Sequence, residues 1–144
     1  MRTCRFNQAH YTPAGMTRSE TQSTVVISGV YTVECCPFPE VDAEVTYICK
    51  MAKIKNWRNP FATASWFHTV LASCHPFDDG NGRIVRLLAS IPLMKHGYPP
   101  ISISFTQRAD YYTALNKARD GDHNAIVQCI LGGMREAMMS VRSL

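Results

Sequence analysis

The chain has 144 residues, enough for one substantial core and within the usual size of one domain. Hydrophobic residues at 46% and charged residues at 18% are ordinary for a soluble globular protein. A formal net charge of +4 suits anionic ligands but lacks the strong basic stripe of a duplex nucleic-acid binder. The first residues, Met1 to Asn7, have no apolar signal core, and no apolar run is long enough to span a bilayer.

Residues 1–22 are mixed and polar, with a turn signal at Thr12-Pro13-Ala14-Gly15, and read as an irregular N-terminal arm. The main domain is expected over 23–144. The β-branched stretch Ser23–Ser28, then Gly29, then Val30–Val33, predicts a small β-hairpin near 23–34. Such a hairpin is marginal alone and must rest on a helical body. Cys35-Cys36-Pro37-Phe38-Pro39 breaks regular structure. From Glu40 to Lys55, Val41, Val45, Ile48, Cys49, Ala52 and Ile54 recur at helical spacing. Lys50, Lys53, Lys55 and Arg58 form a basic face at the end of that helix, where cations complement the dipole, so a solvated face is the favoured reading. Pro60 suits the first turn of a helix running to about Cys74, with Trp66, Val70 and Leu71 as its core stripe. His68 on this helix reads as a packing residue and not a catalyst. The six cysteines contain no CxxC pair, and adjacent Cys35 and Cys36 are badly placed for a shared bridge or zinc site. Reduced thiols and a cytoplasmic setting are expected.

The run His75-Pro76-Phe77-Asp78-Asp79-Gly80-Asn81-Gly82-Arg83-Ile84-Val85-Arg86 carries the chemistry. It lies between two apolar helices and ends where the second begins. The first N–H groups of a helix lack internal partners and sit at the positive end of its dipole. Gly80 and Gly82 let the backbone come close to a ligand, so the turn is a ready phosphate cradle. Arg83 and Arg86, at i and i+3, project from nearly one helical face, and guanidinium forks suit phosphate oxygens. Asp79 is placed to hold Mg²⁺ against those phosphates. His75 is the natural general base. It follows a helix C-terminus, whose dipole favours a protonated ring, whereas a base must be neutral. Phe77 is expected beneath the loop, fixing its shape, and Asp78 in solvent.

The helix from Asn81 is predicted to reach about His96, with Pro92 kinking or interrupting it near Ala89. Gly97 stops it, and Tyr98-Pro99-Pro100 leads to Ile101–Ser104. Thr106 is the expected N-cap of a helix through Lys117 that carries Tyr111 and Tyr112. Asp120-Gly121 ends it. Asp122 caps a last helix whose apolar stripe is Ile126, Val127, Ile130, Leu131, Met134 and Met138.

The 75–86 run resembles the signature of the Fic family, H-x-F-x-[D/E]-G-N-G-R-x-x-R, and matches it at every fixed position. The likeness continues through Gly97-Tyr98-Pro99-Pro100-Ile101 and Gln107–Leu115, and is looser before Phe38. The resemblance implies a mainly α fold, a Fic-type helical bundle with a β-hairpin flap over the active site. It also implies protein adenylyltransferase activity: AMP moves from Mg-ATP to a Ser, Thr or Tyr hydroxyl of a target protein. ATP and Mg²⁺ are the implied cofactors. His75 is then the base and Asp79 the metal ligand. Gly80, Asn81, Gly82, Arg83 and Arg86 bind the phosphates, with Asn81 orienting the α-phosphate. One of Tyr111 and Tyr112 contacts adenine, with core packing expected for at least one of the two. Arg119 departs from the smaller polar pocket residue of some relatives. The target protein docks at the flap by strand addition. Many relatives carry an inhibitory helix, [S/T]-x-x-x-E-[G/N], which has no match here. An uninhibited core, or one restrained by a separate partner, is therefore expected, and a homodimer stays open. Neither nucleic acid nor membrane is an expected partner. Three alternatives remain. A γ-phosphate-transferring variant is disfavoured by the second Gly and first Arg of the run. Removal of AMP goes in relatives with the inhibitory Glu. A non-catalytic nucleotide-binding module would need neither His75 nor Asp79.

Overall fold

Helices carry most of the chain, and the computed structural model describes residues 14–27, 32–54 and 58–142. Their order is α1 (Arg18–Thr21), β1 (Val26–Ile27), β2 (Val33–Glu34), a 3-10 turn (Phe38–Glu40), α2 (Val41–Ile54), α3 (Pro60–Cys74), α4 (Asn81–Met94), α5 (Arg108–Arg119) and α6 (Asn124–Arg142). The protein is mainly α with a small antiparallel hairpin, as the sequence predicts. The chain divides into two compact units, Met1–Ile54 with Leu71–Gly82, and Lys55–Val70 with Arg83–Leu144.

In the first unit, α1 is a single turn within the stretch expected to be irregular. Its start is fixed because Thr17 N donates to Glu20 Oε2 at 2.9 Å, the backward half of a capping box. Thr17 Oγ1 also donates to Asp42 Oδ1 on α2 at 2.7 Å. The rest of the expected arm, residues 1–13, lies outside the described residues. The hairpin pairs Val26 with Glu34 and Ile27 with Val33. Cys35 N donates to Val25 O at 3.1 Å and extends the pairing by one step. The connection at 28–31 lies outside the described residues. The 3-10 turn feeds directly into α2, because prolines at 37 and 39 tolerate its first positions but would break a helix interior. Val41 and Ile48 of α2, Leu71, Ala72 and Cys74 of α3, and Cys35 are buried as the core of this unit. Lys50 and Lys53 are exposed, whereas Lys55 is not among the described residues.

In the second unit, Asn59 caps α3: its Oδ1 accepts from Phe61 N at 2.9 Å and Ala62 N at 3.1 Å. Helix α4 runs unbroken through Pro92, so the expected interruption near Ala89 does not occur. Pro92 removes only the bond to the Leu88 carbonyl, and Leu88 is exposed enough for water to replace it. Ser90 Oγ joins α4 to the following connector. It donates to Arg86 O at 2.6 Å and accepts from Ile101 N at 2.9 Å. Helix α5 begins after Gln107, not Thr106, and extends two residues beyond Lys117. Thr106 is diverted, because its hydroxyl pairs with Ser104 Oγ at 2.9 Å. Gly121, at φ +95°, turns the chain after α5, and Asp122 Oδ1 accepts from Asn124 N at 3.0 Å to start α6. On α6 the buried stripe is Ile126, Ile130 and Met134. Leu131 and Met138, expected in the stripe, are exposed instead. They line an open groove with Phe61, Tyr98 and Met139. Gly133 passes so close to the Ser102 carbonyl oxygen that a Cβ there would collide with it.

Candidate active site

The loop after α3 belongs to the first unit and starts with an unusual backbone. His75 has φ +51°, the left-handed region. Its N–H donates to Leu71 O at 2.9 Å, so His75 occupies the position past a helix end that glycine usually takes. A residue with a Cβ is disfavoured there. Pro76 follows and prevents the helix from continuing. Five residues on, Gly80 is also left-handed, at φ +83°. Gly80 N donates to Asp79 Oδ1 at 2.7 Å. Asn81 opens α4 with its side chain buried. The carboxamide clamps the loop: Oδ1 accepts from Phe77 N at 2.9 Å and Nδ2 donates to Phe77 O at 2.6 Å. Phe77 is half-buried, not fully covered as expected. Asp78 does not simply face solvent, because Oδ1 accepts from Thr21 Oγ1 at 2.9 Å.

A second contributor was invisible in the sequence. Arg18 has 0% exposure. Its Nε donates to His75 O at 2.6 Å and its Nη1 to Ser23 O at 2.8 Å. Its Nη2 donates to Cys36 O at 2.6 Å and to Cys74 O at 2.9 Å. Arg18 N gives a further bond to Pro76 O at 2.7 Å. Burial, with Cys36 and Glu44 adding negative potential, pushes the Cys74 thiol up to about 12. Burial and then Glu44 and Glu40 raise the Cys36 thiol.

In the second unit, Arg83 and Arg86 sit in the first two turns of α4, with Arg83 exposed and Arg86 half-buried. His68 is fully buried on α3, and its Nε2 lies 3.4 Å from Tyr111 Oη. Burial first, and then the Arg86 charge, lower its pKa from 6.5 to about 4, so the ring is neutral at pH 7. Tyr111 is buried, with its ring edge-on to His68 at 5.5 Å between centroids. Burial pushes its hydroxyl up to about 12 against the opposing pull of Arg86. Tyr112 is 54% exposed and packs against Tyr111 at 5.2 Å. Arg119 is half-buried and donates from Nη1 to Asn116 Oδ1 at 2.6 Å.

The model of the Fic/DOC family matches residues 4–93. The chain belongs to the Fic/DOC family. The match includes the N-terminal stretch, where the sequence likeness is loosest to the eye. "Protein adenylyltransferase Fic" of Nematostella vectensis is 43% identical over 72 residues, 50% of this chain and 17% of that protein. The protein of the same name from Drosophila persimilis is 40% identical over 88 residues, 56% of this chain and 17% of the relative. The chain thus spans about a sixth of the length of these curated relatives. Among solved structures, a Fic domain containing signaling protein from Bacteroides thetaiotaomicron superposes with a TM-score of 0.66. It is 25% identical, over 90% of this chain and 52% of that one. Fic-1 (residues 134–508) of C. elegans gives a TM-score of 0.59 at 28% identity, over 72% of this chain and 32% of its own.

Among the described residues of this Fic domain, no three His, Cys, Asp or Glu side chains gather into a metal-holding cluster. The ion that the sequence resemblance implies is Mg²⁺ carried in with a nucleotide. Such an ion keeps several waters, takes phosphate oxygens, and needs one or two carboxylates from protein. Asp79, a hard oxygen donor beside the Gly80 turn, has the right chemistry. No residue lining the open groove on α6 is among the predicted site residues.

Proposed function

We propose that this Fic domain is the catalytic part of a protein adenylyltransferase, moving AMP from ATP to a Ser, Thr or Tyr hydroxyl of a target protein. The observation that supports this most is the left-handed His75, a histidine on a strained backbone at the head of a loop clamped by Asn81. Strain at a non-glycine residue persists where a function needs that side chain. The names of the relatives point the same way.

In this reading the backbone N–H groups of Gly80, Asn81 and Gly82 cradle the phosphates at the start of α4. Arg83 and Arg86 take the β- and γ-phosphates and the charge that develops on departing pyrophosphate. Asn81 has a second Nδ2 hydrogen, besides the one given to Phe77 O, for an α-phosphate oxygen. Asp79 would hold Mg²⁺, which when bound neutralises phosphate charge. The target segment adds as a strand beside β1–β2 and presents its hydroxyl. His75 accepts the hydroxyl proton as the oxygen attacks the α-phosphorus, the P–O bond to pyrophosphate breaks, and an AMP ester forms. Tyr112, exposed on α5, is the tyrosine proposed for adenine, and buried Tyr111 is its support. Placement and fixed charge supply most of the acceleration.

The test is incubation with α-labelled and γ-labelled ATP in a lysate, with intact mass measured on labelled proteins. Added AMP from the α-label alone, lost in His75→Ala while nucleotide binding persists, is the expected result. Label from the γ-position, or transfer retained by His75→Ala, overturns the reading.

A further inference from the structure

A helix leaves its last carbonyls without intrahelical donors, and a buried end must find them elsewhere. At the end of α3 the donor is one side chain. Arg18 reaches Cys74 O and His75 O, the two carbonyls that flank the change from helical to left-handed backbone. The same fork reaches Ser23 O ahead of β1 and Cys36 O just past β2. A guanidinium presents five N–H groups in a rigid plane, whereas an ammonium offers three from one point. Thr21 Oγ1, three residues along α1, adds a second tie to the loop at Asp78 Oδ1.

We propose that Arg18 is a positioning residue for His75: it fixes the His75 carbonyl in the left-handed turn, and so the direction of the imidazole, and binds both feet of the hairpin to that backbone. Arg18 touches no reacting atom. Its effect passes through the peptide plane that follows the His75 Cα. Since Ser23 and Cys36 are the hairpin's entry and exit, one side chain holds both the segment proposed to receive the target and the group proposed to deprotonate it. This inference rests on the adenylyl-transfer reading.

Arg18→Lys preserves the charge and breaks the fork. The expected result is a fall in kcat of about 100-fold, the scale of a misplaced reacting group. KM for ATP should stay within roughly twofold, because the phosphate-binding groups are untouched. In a His75→Gly background the same substitution should lower residual transfer by no more than about twofold, the mark of two residues acting as one unit. Methylguanidine should restore part of the kcat of Arg18→Gly and none of that of His75→Gly. A folded Arg18→Lys with full kcat, or an equal loss in both backgrounds, overturns the proposal. If circular dichroism shows the variants unfolded, the unmutated protein decides. An Arg18 Nε–H protected from exchange in ¹⁵N spectra supports the clamp, and one exchanging freely with water overturns it. Unmutated protein that transfers nothing from α-labelled ATP sinks the adenylyl reading instead.

Discussion

His68 should make this protein sensitive to mild acid, and the size of the effect can be worked out. The ring has 0% exposure, and its Nδ1 has no hydrogen-bond partner among the described residues. Its pKa falls from 6.5 to about 4, through burial first and the Arg86 charge second. Between those values the unfolded chain binds a proton that the folded chain refuses. Stability therefore falls as pH drops through this window. At about 1.4 kcal/mol per pH unit, the full loss is on the order of 3 kcal/mol and is complete below the folded value. By pH 5 about 2 kcal/mol of it is gone relative to pH 8, a large part of a typical total of roughly 5–15 kcal/mol. Urea unfolding followed by circular dichroism at pH 8, 7, 6 and 5 measures this directly. The comparison is His68→Gln, which keeps a polar group near the Tyr111 hydroxyl but does not titrate. The unmutated protein should lose about 2 kcal/mol more than His68→Gln between pH 8 and pH 5. Parallel curves for the two proteins refute the reasoning, whatever their offset.

Cys74 and Cys36 should resist iodoacetamide at pH 8 while exposed Cys49 reacts, because their raised pKa values keep them as thiols; peptide mass mapping over time reads the order, and early labelling of Cys74 contradicts it. Gly133→Ala should lower stability by about 1–3 kcal/mol despite alanine's better helix propensity, since the Ser102 backbone carbonyl must move; a raised Tm in calorimetry refutes this. Asn81→Ala leaves the Phe77 N–H and C=O without their side-chain partners and should destabilise the fold by about 1–3 kcal/mol; a midpoint in urea equal to that of the unmutated protein shows that water replaces the clamp. His75→Gly should be more stable than His75→Ala by about 1 kcal/mol, because glycine alone is at ease at φ +51°; equal stabilities mean the left-handed turn relaxes freely.

What the sequence made legible was local. Helix α3 spans Pro60–Cys74, the bounds expected from a proline suited to a first helical turn and from the polar run that follows Cys74. Arg18 was unreadable because its function is made by carbonyls at 23, 36, 74 and 75, distant in the chain, and no side-chain pattern marks a carbonyl. Asp78 escaped for the same reason, since its partner Thr21 sits in a helix one turn long. Thr106 had the right residue type for a cap, but Ser104 captured its hydroxyl. The α6 stripe was too wide because helical spacing says which residues share a face, not how much of that face is covered.

The position proposed for the base, His75, carries an electrostatic conflict on which the proposed role of Arg18 bears. The general base of the proposed function sits at the end of α3, against the negative end of the helix dipole. That negative end consists of the last carbonyls of the helix, those of Cys74 and its neighbours. A buried cation bonded to Cys74 O and His75 O opposes their field at its source. Glycine would end the helix with less strain, and a neutral donor would satisfy the carbonyls without a buried charge. The chain uses a strained histidine and a buried guanidinium instead. Both choices burden the fold, and under the proposed function both serve the same end: an imidazole fixed in direction.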